Sequence, residues 1–230
     1  MTATTHTDAT PRTVTPTRYV GERNRLRRAV DERLGTLPVW VLLIQAFIGM
    51  GWIRAATEKA IDPTWWSGEY LLGFLADHDG DALGWYQPFL DLFVEPGAVS
   101  MSYLVFGLQL AVGLMLVLGK KVPWAPGLGM FMNLNFIAAG AVDPSIFYVL
   151  AQGAVALWLA ERAGLASLER LRLAAIGAMA LAIMSVPYVA TLHPADVIHD
   201  PAIILVTAGL LALVSAELLH RRASADTGLP

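Results

Sequence analysis

Three charged residues stand at the end of an apolar stretch of the chain and could bind an anion. Arg54, Glu58 and Lys59 belong to the segment GWIRAATEKAIDP. A spacing of four places Arg54 and Glu58 on one face of a helix, where they can pair, whereas Lys59 projects some way round the helix. In a helix that begins at Pro38, Arg54 lies about 24 Å along, just inside the boundary of a hydrocarbon layer about 30 Å thick.

Two interpretations of these charges remain open. Arg54 can extend to the lipid headgroups while Glu58 neutralises it, because a charge this close to the boundary costs little. Alternatively, Arg54, Glu58 and Lys59 bind an anionic substrate, since Arg54 and Lys59 are the only cations predicted on an otherwise acidic outer side. Neither interpretation assigns a catalytic residue.

A second set of polar side chains lies deeper. Gln109, Asn133, Asn135 and Gln152 each fall about 12 to 17 Å from a membrane boundary at helical rise. Asn133 and Asn135 are about 200° apart on a helix, so they must face different ways. This amide layer either joins the helices by hydrogen bonds or lines a site for a polar headgroup such as a quinone, whose carbonyl oxygens accept hydrogen bonds.

The composition is that of an integral membrane protein. Of 230 residues, 56% are hydrophobic and 15% are charged, and the net charge of -3 does not suit binding to nucleic acid. The chain has no cysteine, which excludes disulfides and protein-ligated iron–sulfur clusters. The histidines lie in the tail or in loops, which argues against haem. His193, Asp196, His199 and Asp200 could bind a metal, but an exposed polar loop explains them better, and we predict no metal site.

Six apolar segments are each close to the length of about 20 residues that a membrane-spanning helix needs. They cover residues 39–58, 100–119, 124–142, 144–161, 172–191 and 202–220. Asp143-Pro144 separates the third from the fourth, which predicts a tight hairpin. With the amino terminus inside, every Lys and Arg except Arg54 and Lys59 falls on the cytoplasmic side. We therefore predict an all-α protein with six transmembrane helices and both termini in the cytoplasm.

The predicted organisation has four parts. Residues 1–37 form a basic, largely disordered cytoplasmic tail, because they are rich in Thr and Arg and poor in apolar residues. Residues 38–161 form a four-helix core that includes an outer interfacial segment, 62–99, whose tryptophans suit the headgroup layer. Residues 162–222 add two helices, and 223–230 form a short tail.

The core resembles the DoxD/DoxX membrane-protein family. The resemblance rests on LIQAFIGMGWIRAATEKAIDP, FGLQLAVGLMLVLGKKV and MNLNFIAAGAVDP. In the first span the family has an arginine, then a glycine four residues later and a lysine fourteen later; this chain has Gln45, Gly49 and Lys59. In the second span the family's glutamate and glycine correspond to Gln109 and Gly113. Two glutamines thus replace a buried ion pair, and Gln45 joins the amide layer.

What the resemblance implies is a membrane subunit of a quinone-linked oxidoreductase in the inner membrane of a bacterium. The DoxD branch is associated with thiosulfate:quinone oxidoreductase, so the expected cofactor is a quinone and the expected partner is a second redox subunit. The alternatives are a non-catalytic scaffold for redox or detoxification enzymes and a small-solute transporter. The sequence leaves the oligomeric state open, a homo-oligomer included.

Overall fold

The computed structural model describes residues 31, 35–119 and 123–227, and these residues are helical with no strand. The chain divides into residues 1–39 and residues 40–230. In the first unit, Gly35 and Thr36 are helical. Most of the predicted tail lies outside the described residues, and so do Lys120 and Lys121. The second unit contains the candidate site.

Nine α-helices follow one another along the described chain. They are α1 (Val39–Ile61), α2 (Pro63–Ser67), α3 (Glu69–Asp77), α4 (Gln87–Phe89), α5 (Ala98–Leu118), α6 (Ala125–Ala138), α7 (Ser145–Ala163), α8 (Leu165–Ser185) and α9 (Pro201–Thr227). A π-helical turn, Leu90–Val94, follows α4, and a 3₁₀ turn, Val186–Tyr188, follows α8. Helix α9 continues through Thr227, into the segment that the sequence predicts as a tail.

Five of these helices are long and apolar enough to cross a membrane. The candidate spans are Val39–Ile61, Ala98–Leu118, Ser145–Ala163, Leu165–Tyr188 and Pro201–Asp226. The predicted third span, 124–142, forms the 14-residue helix α6, which is only about 21 Å long. It ends early because the chain turns at Gly140, whose φ of 94° is left-handed. The chain is a membrane protein, but helix length does not confirm six crossings.

Residues 62–97, between α1 and α5, fold over one end of the bundle. We name these residues the capping segment and that end of the bundle the capped end. The backbone N–H of Leu83 donates to the carbonyl oxygen of Ala138 at 2.9 Å. The indole N–H of Trp85 donates to the hydroxyl oxygen of Ser185 at 3.2 Å. The predicted interfacial segment 62–99 therefore contains several short helical pieces that are tied to α6 and α8.

Helices α1 and α5 approach each other most closely at two glycines. A Cβ on Gly49 would lie 3.1 Å from the carbonyl oxygen of Gly113, and a Cβ on Gly113 would lie 2.9 Å from that of Gly49. Real side chains do not tolerate such contacts with backbone, so glycine at both positions permits the crossing. Ile48 and Leu116 pack beside it in the core. These two glycines are the ones on which the family resemblance partly rests.

Candidate functional site

A cavity of about 450 Å³ lies inside the capped end. Its walls come from α1, from the capping segment, from α5 and α6, and from the beginning of α7. Most of the lining is aromatic or aliphatic, including Trp52, Trp65, Phe74, Met101 and Phe136. The polar lining residues are Lys59, Tyr70, Tyr86, Gln109, Asn133, Asn135, Asp143, Ser145 and Tyr148. An apolar cavity with a few polar groups is the usual form of a small-molecule site.

Several residues that line the cavity are also exposed on the surface of the bundle. Leu104 on α5 is 52% exposed, Phe131 on α6 is 60% exposed, and both also line the cavity. Phe89, in the capping segment, is 39% exposed and lines it as well. Some side chains therefore belong both to the cavity wall and to the exposed apolar surface of the bundle.

Three members of the predicted amide layer, Gln109, Asn133 and Asn135, line this cavity. Gln152 does not; its side-chain oxygen accepts from Nδ2 of Asn133 at 3.3 Å, which joins α7 to α6. Nδ2 of Asn133 also donates to the carbonyl oxygen of Gly129 at 2.9 Å. Gln45 is buried in α1 away from the cavity lining. The layer thus divides into a lining group and residues that pack between helices.

Asn135 contacts the capping segment through Tyr86, and it lines the same cavity as Asn133 although their spacing predicts that the two face different ways. Its Oδ1 accepts a 2.7 Å hydrogen bond from the Tyr86 hydroxyl, and its Nδ2 donates to the carbonyl oxygen of Phe131 at 2.7 Å. Burial raises the pKa of Tyr86 to about 12, because the phenolate would lose its hydration. Tyr86 is therefore a neutral hydrogen-bond donor at physiological pH.

Two buried polar atoms in the cavity lining have no hydrogen-bond partner within the described part of the chain. They are Nε1 of Trp52 and Oε1 of Gln109. Each residue is only 4% exposed. An unpaired buried donor or acceptor costs about 1 to 3 kcal/mol. These atoms are polar groups that the described part of the chain leaves unpaired between the cavity wall and the helix packing.

The structure places the three charged residues of α1 in two different environments. Nε of Arg54 donates to Oε1 of Glu58 at 2.7 Å, which confirms the predicted pair. Both side chains are exposed, at 81% and 58%, and neither residue lines the cavity. Lys59 does line it, with Nζ 4.8 Å from the ring centroid of Trp65. Of the predicted anion-binding residues, Lys59 alone borders the cavity.

Aromatic residues of the site were not singled out from the sequence. The ring centroids of Trp52 and Tyr148 are 5.7 Å apart, and a Cβ on Gly51 would clash with the Tyr148 hydroxyl. The indole N–H of Trp65 donates to the carbonyl oxygen of Ser102 at 3.1 Å. A tryptophan within an apolar span carries an N–H that needs a partner, and that signal could have identified Trp52.

The polar loop before α9 is organised around Asp200. One carboxylate oxygen accepts from the backbone N–H groups of Ala190 and Thr191, at 2.8 and 3.2 Å. The other accepts from Ala202 and Ile203, at 2.9 and 3.0 Å. This buried carboxylate caps α9 and holds the loop against it. Within residues 35–119 and 123–227, no group of three His, Asp or Glu side chains is placed to hold a metal ion.

The described part of the chain defines a class: an all-helical membrane protein with a largely apolar cavity. Comparisons of the chain with protein-family models, with curated proteins and with solved structures found no match.

Proposed function

We propose that the protein binds a membrane quinone in the cavity and serves as the membrane subunit of a quinone-linked oxidoreductase. The observation that carries this proposal is a largely apolar cavity of about 450 Å³ with amide and hydroxyl groups in its lining. Quinones have an apolar tail and a polar head with oxygen atoms, which suits such a lining. Gln109 and Tyr148 would hold the head, and the apolar side chains of Leu104 and Phe131 would contact the tail. A bound quinone would supply two-electron redox chemistry.

The electron donor in this proposal is a sulfur oxyanion such as thiosulfate. Lys59 supports this part, because it places an ammonium group at the same cavity. Arg54 and Glu58 would contribute only to the surface potential outside it, since their side chains are exposed and paired. A second redox subunit would carry electrons from the anion to the quinone.

Quinone binding is tested directly by titrating a short-chain quinone into the purified protein and measuring the dissociation constant calorimetrically. Ala55→Phe should weaken binding, because Ala55 lines the cavity and a phenyl ring there would occupy part of its volume. Ala46→Phe is the matched control, since Ala46 is an exposed residue of the same helix outside the lining. Equal binding by both variants would contradict the assignment of the cavity. Thiosulfate-dependent quinone reduction, with an absorption spectrum of the same sample, then tests the reaction.

We further propose six crossings of a bacterial plasma membrane with both termini in the cytoplasm. In this arrangement α6 and the turn after it, residues 139–142, together form the third membrane crossing. The distribution of Lys and Arg supports it. The chain has no cysteine, so single cysteines can report sidedness without background. A cysteine at His193 should react with an impermeant maleimide from outside intact cells, and one at Arg222 should not; the reverse pattern would overturn the orientation.

A further inference from the structure

Two parts of the capping segment are held to the bundle in different ways. Hydrogen bonds join Leu83, Trp85 and Tyr86 to α6 and α8, and the same part, residues 83–94, includes the buried Leu90 and Val94. Residues 69–80 contain α3 and the turn after it, and none of them is buried. Within the described part of the chain, their hydrogen bonds all end inside residues 67–81. Helix α3 therefore has no polar attachment to the bundle there.

Left-handed glycines stand at both ends of this stretch, with φ of 80° at Gly68 and 88° at Gly80. Each lies beside a point that is fixed to the bundle. A Cβ on Gly68 would come within 2.9 Å of the backbone nitrogen of Val99 on α5. Directly after Gly80, Asp81 lies against Gly140, whose added Cβ would be 3.1 Å from the carbonyl carbon of Asp81. Because glycine adopts many φ/ψ combinations, both positions can serve as hinges.

Helix α3 separates the cavity from a second one. Leu71 and Phe74 line the cavity described above. Leu72 and Ala76 lie on another face of the helix and line a second cavity of about 400 Å³. The exposed Asp79 belongs to the wall of the second cavity as well. A displacement of α3 would therefore join the two cavities.

Apolar contacts hold α3 against the bundle. Leu71 and Leu75 are partly buried and pack against the cluster of Leu90, Val94 and Ala139. The ring centroids of Tyr70 and Trp65 are 5.4 Å apart. Segments with few buried apolar contacts open at a low cost in free energy.

We propose that residues 69–80 form a lid, which swings about Gly68 and Gly80 and opens the cavity at the capped end. The anchored part, residues 83–94, stays in place during this movement. The lid would operate whichever small molecule the cavity binds, so it goes beyond the proposed function. Loss of quinone binding in the calorimetric titration would overturn the proposed function and leave the lid standing.

Distances between two spin labels, measured by pulsed electron paramagnetic resonance in detergent, test the movement. The chain has no cysteine, so labelled cysteines can be introduced without background. The lid pair is Gly73→Cys with Leu118→Cys, and the reference pair is Leu92→Cys, in the anchored part, with Leu118→Cys. No atom lies within 4 Å of a Cβ on Gly73, and Leu92 and Leu118 are exposed, so all three positions have room for a label.

Leu71→Ala should increase the population with a displaced lid about tenfold, because it removes one of the two leucines that pack on the cluster. A second distance should then appear in the lid pair and not in the reference pair. Leu72→Ala is the matched control, since Leu72 is 43% exposed and does not pack on that cluster. Three outcomes would overturn the proposal: no second distance in Leu71→Ala, the same change in Leu72→Ala, or an equal change in the reference pair.

The reaction rate of a single cysteine in the cavity wall tests whether the movement opens the cavity. Ser145 is 4% exposed and lines the first cavity but not the second. In the unlabelled protein, Ser145→Cys should react with a water-soluble maleimide about tenfold faster when Leu71→Ala is added, and at an unchanged rate when Leu72→Ala is added. Equal rates in all three proteins would show that the lid does not control access. A faster reaction without a second spin-label distance would indicate a hole left by the missing side chain and would also contradict the proposal.

Discussion

The hydroxyl of Tyr86 donates a 2.7 Å hydrogen bond to Oδ1 of Asn135. This bond joins the capping segment to α6, and both residues line the cavity. Asn135 is held in turn by its own bond to the carbonyl oxygen of Phe131. The capping segment is therefore attached to the bundle through a polar contact at the cavity wall.

The pH dependence of Tyr86 should be measurable. Its pKa is raised from 10.0 to about 12, so folding keeps the phenol protonated where the unfolded chain would lose the proton. The resulting contribution to stability is fully present below pH 10 and is lost as pH rises towards 12. A spectrophotometric titration of phenolate should show a late step that is absent in Tyr86→Phe. Tyr103→Phe, at an exposed position, should retain it; a late step in both variants would contradict the assignment.

The glycine crossing of α1 and α5 should be sensitive to added volume. Gly113→Ala would place its Cβ 2.9 Å from the carbonyl oxygen of Gly49, so we expect a loss of about 1 to 3 kcal/mol in unfolding free energy. Gly107→Ala is the control on the same helix, because no atom lies within 4 Å of its added Cβ. That variant should be neutral or slightly stabilising. Thermal unfolding in detergent would distinguish them, and equal transition temperatures would exclude a close crossing.

Asp200 should be required for order in the loop before α9. Asp200→Ala leaves four backbone N–H groups without their acceptor, and bonds to a charged acceptor contribute about 1.5 to 3 kcal/mol each. We expect lower thermal stability and faster proteolysis between residues 189 and 200. Asp196→Ala is the control in the same loop, because its side chain is 67% exposed. Similar cleavage rates in the two variants would show that the carboxylate does not hold the loop.

Lys59 and Arg54 should differ in their effect on an anionic donor. If the anion reaches the cavity, Lys59→Met should raise the half-saturating thiosulfate concentration about tenfold. Arg54→Met should change it little, because the guanidinium is exposed and already paired with Glu58. Quinone reduction rates at increasing thiosulfate concentration measure both effects. A larger effect from Arg54→Met would place the anion at the surface pair.

Local patterns predicted some of the site. The spacing of Arg54 and Glu58 determines their pairing, because residues four apart meet on a helix. The helical rise predicted one layer for Gln109, Asn133 and Asn135, and all three line the cavity. The same reasoning did not distinguish these three residues from Gln152, which does not line the cavity. Position along a helix does not specify which neighbouring element a side chain contacts.

The amino-acid sequence by itself determined that the chain is helical and lives in a membrane, because apolar content and run length are properties of single segments. The tertiary structure decided that Trp52, Tyr86 and Gln109 border one cavity and that Arg54 lies outside it. Those features depend on how antiparallel helices cross at Gly49 and Gly113 and on how the capping segment folds back. Such contacts join residues that are distant in the chain, so local sequence patterns do not predict them.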